Sequence, residues 1–351
     1  MSRCMSKQCC TRHPKACHAI DSPIEAPHLL SNDAHTTAAA AARLRAIAAW
    51  PSRDIAVSHT TGGANLAFAR NWWRHLKRAG VENFALLATD DTAYAALELE
   101  LPGRSVRCPE SIVGVAAQMI AADMQRSGKR GARYRSAGWT RLMFAVPTMV
   151  RWVLDAGLNV LWMDTDVVAL SNPFTVVRAQ LAAAGAMNAA DVRGGGLLLA
   201  SVDGRVSDEN PRECSAQYSR SAQWGHSAGG WKLCGGLFYL PRSDSALAFL
   251  REWERRLATP NAGAKNQPHY NEALRAISEE GVDKGGGGSL RVWLLPCELF
   301  PNGFRYASVV WRRAQRRSPV AVHNNWIKGL EAKEQRFRAW GMWNASASQR
   351  V

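Results

Sequence analysis

No stretch of the 351 residues approaches the roughly 18 consecutive apolar residues of a membrane span. The opening segment MSRCMSKQCCTRHPKACHAI carries positive charge but lacks the apolar run of a secretory signal. No GK[ST] follows the four glycines of GVDKGGGGSL, which excludes a P-loop, and TTGGAN lacks the spacing of a dinucleotide fingerprint, which excludes an NAD site of that kind. There is no internal repeat. Cys4, Cys9, Cys10 and Cys17 crowd the start without histidines at finger spacing, His13 and His18 notwithstanding, so a zinc site is not expected there. Cys108, Cys214, Cys234 and Cys297 are dispersed, and they permit disulfides without requiring them. Acidic residues are scarce, 29 against 44 Lys and Arg, and the resulting charge of +15 favours an anionic partner. No nucleic-acid motif accompanies that charge. The arginine clusters at Arg251, Arg255 and Arg256 and at Arg312, Arg313, Arg316 and Arg317 read as solvated faces.

What is present is 47% hydrophobic and able to bury a sizeable core. The alanine-rich run from Thr36 to Trp50 predicts a helix stopped by Pro51. DIAVSHT predicts a strand, TGGAN its turn, LAFARNWWRHLKRAG an amphipathic helix, and NFALLATDD a second strand ending in polar residues. Strand, helix and strand with polar strand ends is the pattern of a parallel α/β sheet, whose ligands sit at the carboxyl ends of the strands. Further on, TRLMFAVPTMVRWVLDAG predicts a helix kinked or started late by Pro147, and GGGLLLASVDG a strand pair. GGWKLCGGLFYLP reads as a strand with close backbone approach at its glycines, SDSALAFLREWERRLA as a capped helix, and AKNQPHYNEALRAI as a polar loop entering a helix. LRVWLLPCELFPNG and PVAVHNNWIKG supply two late strands, and LEAKEQRFRAWGMW a closing helix. No linker interrupts residues 50 to 343.

The sharpest feature is GLNVLWMDTDVVALSNPF, where Asp164 and Asp166 stand in an apolar run. At strand periodicity their carboxylates share a face and, at a strand's end, one cavity. Two such charges repel unless a cation or a proton lies between them, and oxygen ligands completed by a diphosphate suit Mg²⁺ or Mn²⁺. A helix-capping Asp beside a structural one is the plain alternative. In VAVHNNW, His323 follows a short apolar strand and precedes two amides that suit a core poorly. Thr60, Thr61 and Asn65 fall at the carboxyl edge of the first strand, and Asp90 and Asp91 at that of the second. Trp162 reads as core, whereas Trp224, Trp231 and Trp326 lie in polar surroundings where an indole can stack on a sugar. The basic loop Lys129 to Arg135 could steer an anionic donor or hold an acidic acceptor.

Several motifs in order resemble the nucleotide-diphospho-sugar transferases of glycosyltransferase family 77, plant and algal arabinosyl-, xylosyl- and galactosyltransferases. They are AFARNWWRHLKRAGVENFALLATDD, VLDAGLNVLWMDTDVVALSNPF, LLPCELFPNG and VHNNWIKGLEAKEQRFRAWGMW, and the match runs roughly from Asp54 to Trp343. The resemblance implies a GT-A-like fold, a mixed and mostly parallel sheet flanked by helices with a Rossmann-like nucleotide-binding half. It implies an extension over residues 1–50, disordered or helical, one domain over 51–343 and a tail over 344–351. It also implies a metal, Mn²⁺ or Mg²⁺, held by Asp166, His323 and Asp164, with Asp164 on the metal or on the donor's ribose. Gly329 and Lys333 would face the diphosphate, and Thr60, Thr61, Asn65 and Asp90 the nucleoside. Gly235 and Gly236 would let the sugar approach. Gln267 and Asn271 match a polar segment by the sugar's reactive face, where Lys333 would also assist the leaving group.

The chain departs from the pattern at Cys234, where relatives carry Asn, and at Asn266, where they carry Asp. The implied activity is retaining transfer of arabinose, xylose or galactose from a UDP-sugar to a hydroxyl of a glycan or glycoprotein, with no nucleic acid as partner. The departures keep open a sugar- or nucleotide-binding protein without catalysis, and the carboxylate pair keeps open a metal-dependent nucleotidyltransferase. Family members commonly work in the Golgi lumen behind an N-terminal anchor. This chain shows none, so membrane association is expected only through a missing anchor, and Asn344 in NAS is a candidate glycosylation acceptor.

Overall fold

The computed structural model describes residues 30–127, 136–185, 196–203, 233–259, 265–283 and 290–345. The N-terminal cysteines, the basic loop Lys129 to Arg135, Trp224, Trp231 and the four glycines after Lys284 lie outside the described residues.

The sheet is mixed α/β as the sequence pattern predicts. Strands β1 (Asp54–Thr60), β2 (Phe84–Ala88), β3 (Ser105–Arg107) and β4 (Asn159–Met163) run parallel, joined by α2 (Asn65–Arg78), α3 (Asp91–Glu100), α4 (Glu110–Ser127), α5 (Ala137–Phe144) and α6 (Val146–Asp155). Then β6 (Leu197–Val202), β7 (Leu233–Leu240) and β8 (Arg291–Leu294) complete seven strands in the order β3-β2-β1-β4-β7-β6-β8, with β7 antiparallel to its neighbours. Helices cover both faces, so the strands are buried on both sides and lack polar alternation. In β4, Val160 and Trp162 enter one apolar cluster while Leu161 and Met163 enter the other. The strand order turns around between β1 and β4, and a crevice opens at such a reversal, outside the carboxyl ends of the strands.

Two helix expectations shift. The first helix, α1, spans Leu30–Ile47 instead of running from Thr36 to Trp50. The residue before a proline disfavours the helical region, and Ala49 instead bridges Asp54 across the turn at Trp50 and Pro51. The predicted helix over Thr140–Gly157 is two helices, α5 and α6, with Pro147 in the first turn of α6, where its missing N–H removes no helical bond. The predicted strand pair around Leu197 is the single strand β6, flanked by β7 and β8.

After β4 the chain forms β5 (Val167–Ala169) and α7 (Pro173–Ala183), the latter capped by Asn172. After β7 come α8 (Asp244–Leu257), capped by Ser243, and α9 (Gln267–Asp283). Following β8, α10 (Gly303–Ala307) and α11 (Val309–Ala314) lead to β9 (Ala321–His323) and α12 (Leu330–Ala339). A two-stranded antiparallel sheet pairs β5 with β9, Val167 opposite His323. That register brings a late histidine beside the two aspartates. Cys108 and Cys234 take part in no disulfide, and Cys297 is disulfide-bonded. Among the described residues no helix is long and apolar enough to cross a membrane.

Candidate functional site

The strand carrying the aspartates ends at Met163, before either of them. Asp164 and Asp166 therefore do not share a strand face through period-two alternation. They flank a turn between β4 and β5, closed by Val167 N–H donating to Asp164 C=O at 2.9 Å. Asp164 N–H donates to Gly236 C=O at 2.8 Å, and Asn324 N–H to Asp166 C=O at 2.8 Å. The turn is thus held by β7 on one side and by the chain after β9 on the other.

One ligand atom from each of Asp164, Asp166 and His323 lies within 4.8 Å of the other two. Two carboxylate oxygens and an imidazole nitrogen form a donor set suited to a divalent cation of the Mg²⁺ or Mn²⁺ type. His323 Nε2 is 3.3 Å from Asp166 Oδ1, and Lys333 Nζ is 2.7 Å from Asp166 Oδ2. The remaining imidazole nitrogen, Nδ1, lies 3.3 Å from Cys234 Sγ. Trp162 Nε1 donates to Asp164 Oδ1 at 3.1 Å, so the residue read as core both packs the sheet and orients a carboxylate. A Cβ on Gly236 would collide with Asp164 Oδ2 and lie 2.8 Å from His323 Cε1.

The two carboxylates titrate apart. Burial, with the Asp166 charge second, pushes Asp164 up to about 6. Burial also opposes ionisation of Asp166, but Lys333 and His323 outweigh it and hold that carboxyl well below the usual range. His323 is itself disfavoured as a cation by burial, yet Cys234 and Asp166, at its two nitrogens, raise its pKa well above that of free imidazole. Lys333 is raised likewise, with Asp166 overcoming its burial. One carboxylate is firmly ionised and its neighbour carries the strain of like charge, which a divalent cation would relieve.

Two cavities meet at this cluster. One of about 380 Å³ is lined by Asp203, Cys234, Gly235, Gly236, Gln267 and Trp326, among others. The second, of about 140 Å³, lies against His59, Thr60, Thr61, Asn65, Phe68 and Leu330. Asp164, Asp166, Lys333, Trp139 and Met143 border both. The smaller cavity is at the end of β1. Asn65 Nδ2 donates to Thr61 Oγ1 at 2.7 Å there. His59 lies 5.6 Å from the Trp162 ring in a stacked arrangement, and burial pushes its imidazole down to about 4, leaving it neutral near pH 7.

Not every expected residue lines one of these two cavities. Asp90 caps α3, accepting from Ala93 N–H at 2.7 Å and Gly62 N–H at 2.9 Å, and its two oxygens are spent on backbone. Asn271 clasps the start of β7, accepting from Leu233 N–H at 2.9 Å and donating to Leu233 C=O at 3.0 Å. Gly329 supplies the left-handed turn into α12, with φ of 86°, and does not line either cavity. Gln267 does line the larger cavity, donating to Asp203 Oδ2 at 2.6 Å.

Asp203, just past β6, was not singled out in the sequence. It gathers three donors: Gln267, Asn325 Nδ2 at 2.6 Å and Trp326 Nε1 at 2.9 Å. Trp326 has a φ of 60°, unusual for a bulky residue and the kind of backbone strain that clusters at ligand sites. The signal for Asp203 was available. LLLASVDG, like VLWMDTD, is an apolar run ending in an aspartate.

The family model for nucleotide-diphospho-sugar transferases matches residues 79–337. The chain is 24% identical over 287 residues to UDP-D-xylose:L-fucose alpha-1,3-D-xylosyltransferase of Arabidopsis thaliana, covering 79% of this chain and 66% of that protein. It is 26% identical over 294 residues to beta-arabinofuranosyltransferase RAY1 of the same plant, covering 80% of this chain and 46% of that protein. It therefore spans just under two thirds of the one and less than half of the other. Among solved structures, a complex of galactosyltransferase LgtC with donor and acceptor sugar analogs aligns over 85% of this chain and 97% of that one, at 13% identity and a TM-score of 0.45.

Proposed function

The chain belongs to the nucleotide-diphospho-sugar transferase family, and from that premise we propose that it moves a monosaccharide from a UDP-sugar to a hydroxyl of a glycan or glycoprotein, with residues 51–343 as the catalytic unit. The observation that carries this reading is the convergence of Asp164, Asp166 and His323 where two cavities meet. The nucleoside occupies the cavity at the end of β1, against Thr60, Thr61, Asn65 and His59. The sugar lies in the larger one, between Gly236 and the Asp203 cluster, and the diphosphate spans the residues common to both.

Asp164, Asp166 and His323 hold Mn²⁺ or Mg²⁺, which when bound offsets charge on the leaving diphosphate. Lys333 adds a second positive charge from the shared wall, stabilising the same oxygens as the sugar–phosphate bond breaks. Asp203 accepts hydrogen bonds from three donors, which disperses its charge and suits it to positioning Gln267 and Trp326 better than to nucleophilic attack. Reaction on the front face of the sugar follows. The acceptor oxygen bonds to the anomeric carbon as the β-phosphate oxygen departs, and that oxygen takes the hydroxyl proton. Configuration is retained, in keeping with the resemblance to glycosyltransferase family 77. The donated sugar is xylose, arabinose or galactose, and the setting is the Golgi lumen.

The test is donor turnover across a panel of UDP-sugars with Mn²⁺. We expect one donor to be hydrolysed or transferred, loss of turnover in EDTA, and loss in Asp166→Ala. Absence of turnover with every donor, together with unchanged UDP affinity in Asp166→Ala, would overturn the reading.

A further inference from the structure

Cys234, in β7, faces the cation site. Cys234 and Gly236 of β7 both meet the His323 ring. Gly236 abuts Asp164 and the Cε1 edge of His323, and Cys234 Sγ meets the next ring atom, Nδ1, at 3.3 Å. The opposite nitrogen, Nε2, is 3.3 Å from Asp166 Oδ1. Sγ has a second neighbour, the Asn325 Nδ2 amide at 4.0 Å, which can only donate.

Resting on the reading of Asp164, Asp166 and His323 as a cation site, we propose that Cys234 is a positioning residue that accepts the Nδ1–H of His323. A neutral imidazole carries one proton. With that proton on Nδ1 and directed at sulfur, Nε2 keeps its lone pair for the cation between the carboxylates. Histidine ligands are commonly oriented by a carboxylate or carbonyl at the second nitrogen, and such partners contribute about ten- to hundredfold to metal affinity. Here a thiol sulfur takes that place. It is not itself a ligand, because it lies on the far side of the ring and outside the cluster formed by the three ligand atoms.

The experiment is Mn²⁺ titration without nucleotide, followed by the paramagnetic signal of free Mn²⁺, on wild type, Asp166→Ala, Cys234→Ala and Cys234→Ser. Wild type should bind and Asp166→Ala should not. Cys234→Ala should bind at least about tenfold more weakly, and Cys234→Ser, whose hydroxyl can still accept, should remain close to wild type. One measurement on wild type does not depend on a variant folding: in the Mg²⁺-loaded protein, ¹⁵N spectra should place the His323 proton on Nδ1. Equal affinity in Cys234→Ala or a proton on Nε2 each overturns this inference alone. Failure of wild type to bind Mn²⁺ overturns it together with the proposed function.

Discussion

Lys333 Nζ lies 2.7 Å from Asp166 Oδ2, across 167 positions of sequence, at a carboxylate that also faces His323. The ammonium already offsets part of the Asp166 charge, so Lys333 and a cation held by Asp164, Asp166 and His323 act on the same carboxylate. Replacing Lys333 with Met should therefore separate binding from turnover. Mn²⁺ affinity in the absence of donor should rise a few-fold, whereas transfer should slow by about 10²-fold or more as the leaving diphosphate loses a fixed charge. In EDTA the variant should be less stable by about 2–4 kcal/mol, because a buried carboxylate loses its partner, and Mn²⁺ should restore most of that loss. Metal titration, steady-state kinetics and thermal melts with and without Mn²⁺ read the three effects.

The neighbouring glycines of β7 offer a steric test that changes no charge. A methyl at Gly236 would press on Asp164 and on His323 Cε1, whereas one at Gly235 would meet Tyr270 Cγ at an ordinary 3.8 Å. Gly236→Ala should cut transfer by about a hundredfold, the typical consequence of displacing catalytic groups by about an ångström. It should weaken Mn²⁺ binding as well. Gly235→Ala should change stability by less than about 1 kcal/mol and keep most activity. Equal behaviour of the two variants in donor turnover would mean that close approach at Gly236 has no part in the site.

That contrast also shows where sequence reading stops. The strand DIAVSHT and the helix following it were legible because apolar period and turn residues are local signals, and β1 occupies the predicted Asp54–Thr60. The aspartate pair was legible as a charge in an apolar run. What brings His323 to it is the β5–β9 register, a pairing across more than 150 residues that no local pattern encodes. Asp90 and Asn271 show the converse ambiguity. Both are polar residues at element ends, where a ligand contact and a backbone cap leave the same trace in sequence, and both act on backbone. Asp203 ends an apolar run as Asp164 does, but only the fold reveals that it collects Gln267, Asn325 and Trp326.

Removal of that collector should act on the sugar side of the site and leave the metal side unchanged. Asp203→Ala leaves three donors without their acceptor and releases the Trp326 indole. Affinity for Mn²⁺ and for UDP should stay within about threefold of wild type, since neither cation ligand nor the β1 cavity is touched. Transfer should fall by about 10²-fold through misplacement of Gln267 and Trp326. Calorimetric UDP binding beside turnover distinguishes the two, and a parallel loss of UDP affinity would place Asp203 in nucleotide binding instead.

Stability against pH tests the electrostatics without any substrate. In the cation-free protein Asp164 is raised from 3.8 to about 6, by burial first and by Asp166 second. Between those values the folded chain holds a proton at Asp164 that the unfolded chain has released, so the Asp164 contribution to stability falls as pH rises through that window, by on the order of 2–3 kcal/mol, while His59 and His75, pushed down by burial, contribute in the opposite sense over it. His323, raised above 6.5, continues the decline on the alkaline side, because its contribution is complete below the unfolded pKa and is lost as pH climbs through the folded one. Asp166, held low, contributes in the opposite sense, but only below about 4. The difference between wild type and Asp164→Asn cancels the histidines and isolates Asp164: relative to the variant, wild type should lose stability as pH rises from 4.5 to 6 and change little beyond. Denaturant titrations of both proteins in EDTA from pH 4.5 to 7.5 measure this, and Mn²⁺ added at the upper end should stabilise wild type more than Asp164→Asn. Parallel curves for the two proteins would mean that Asp164 ionises freely and that no like-charge strain awaits a cation.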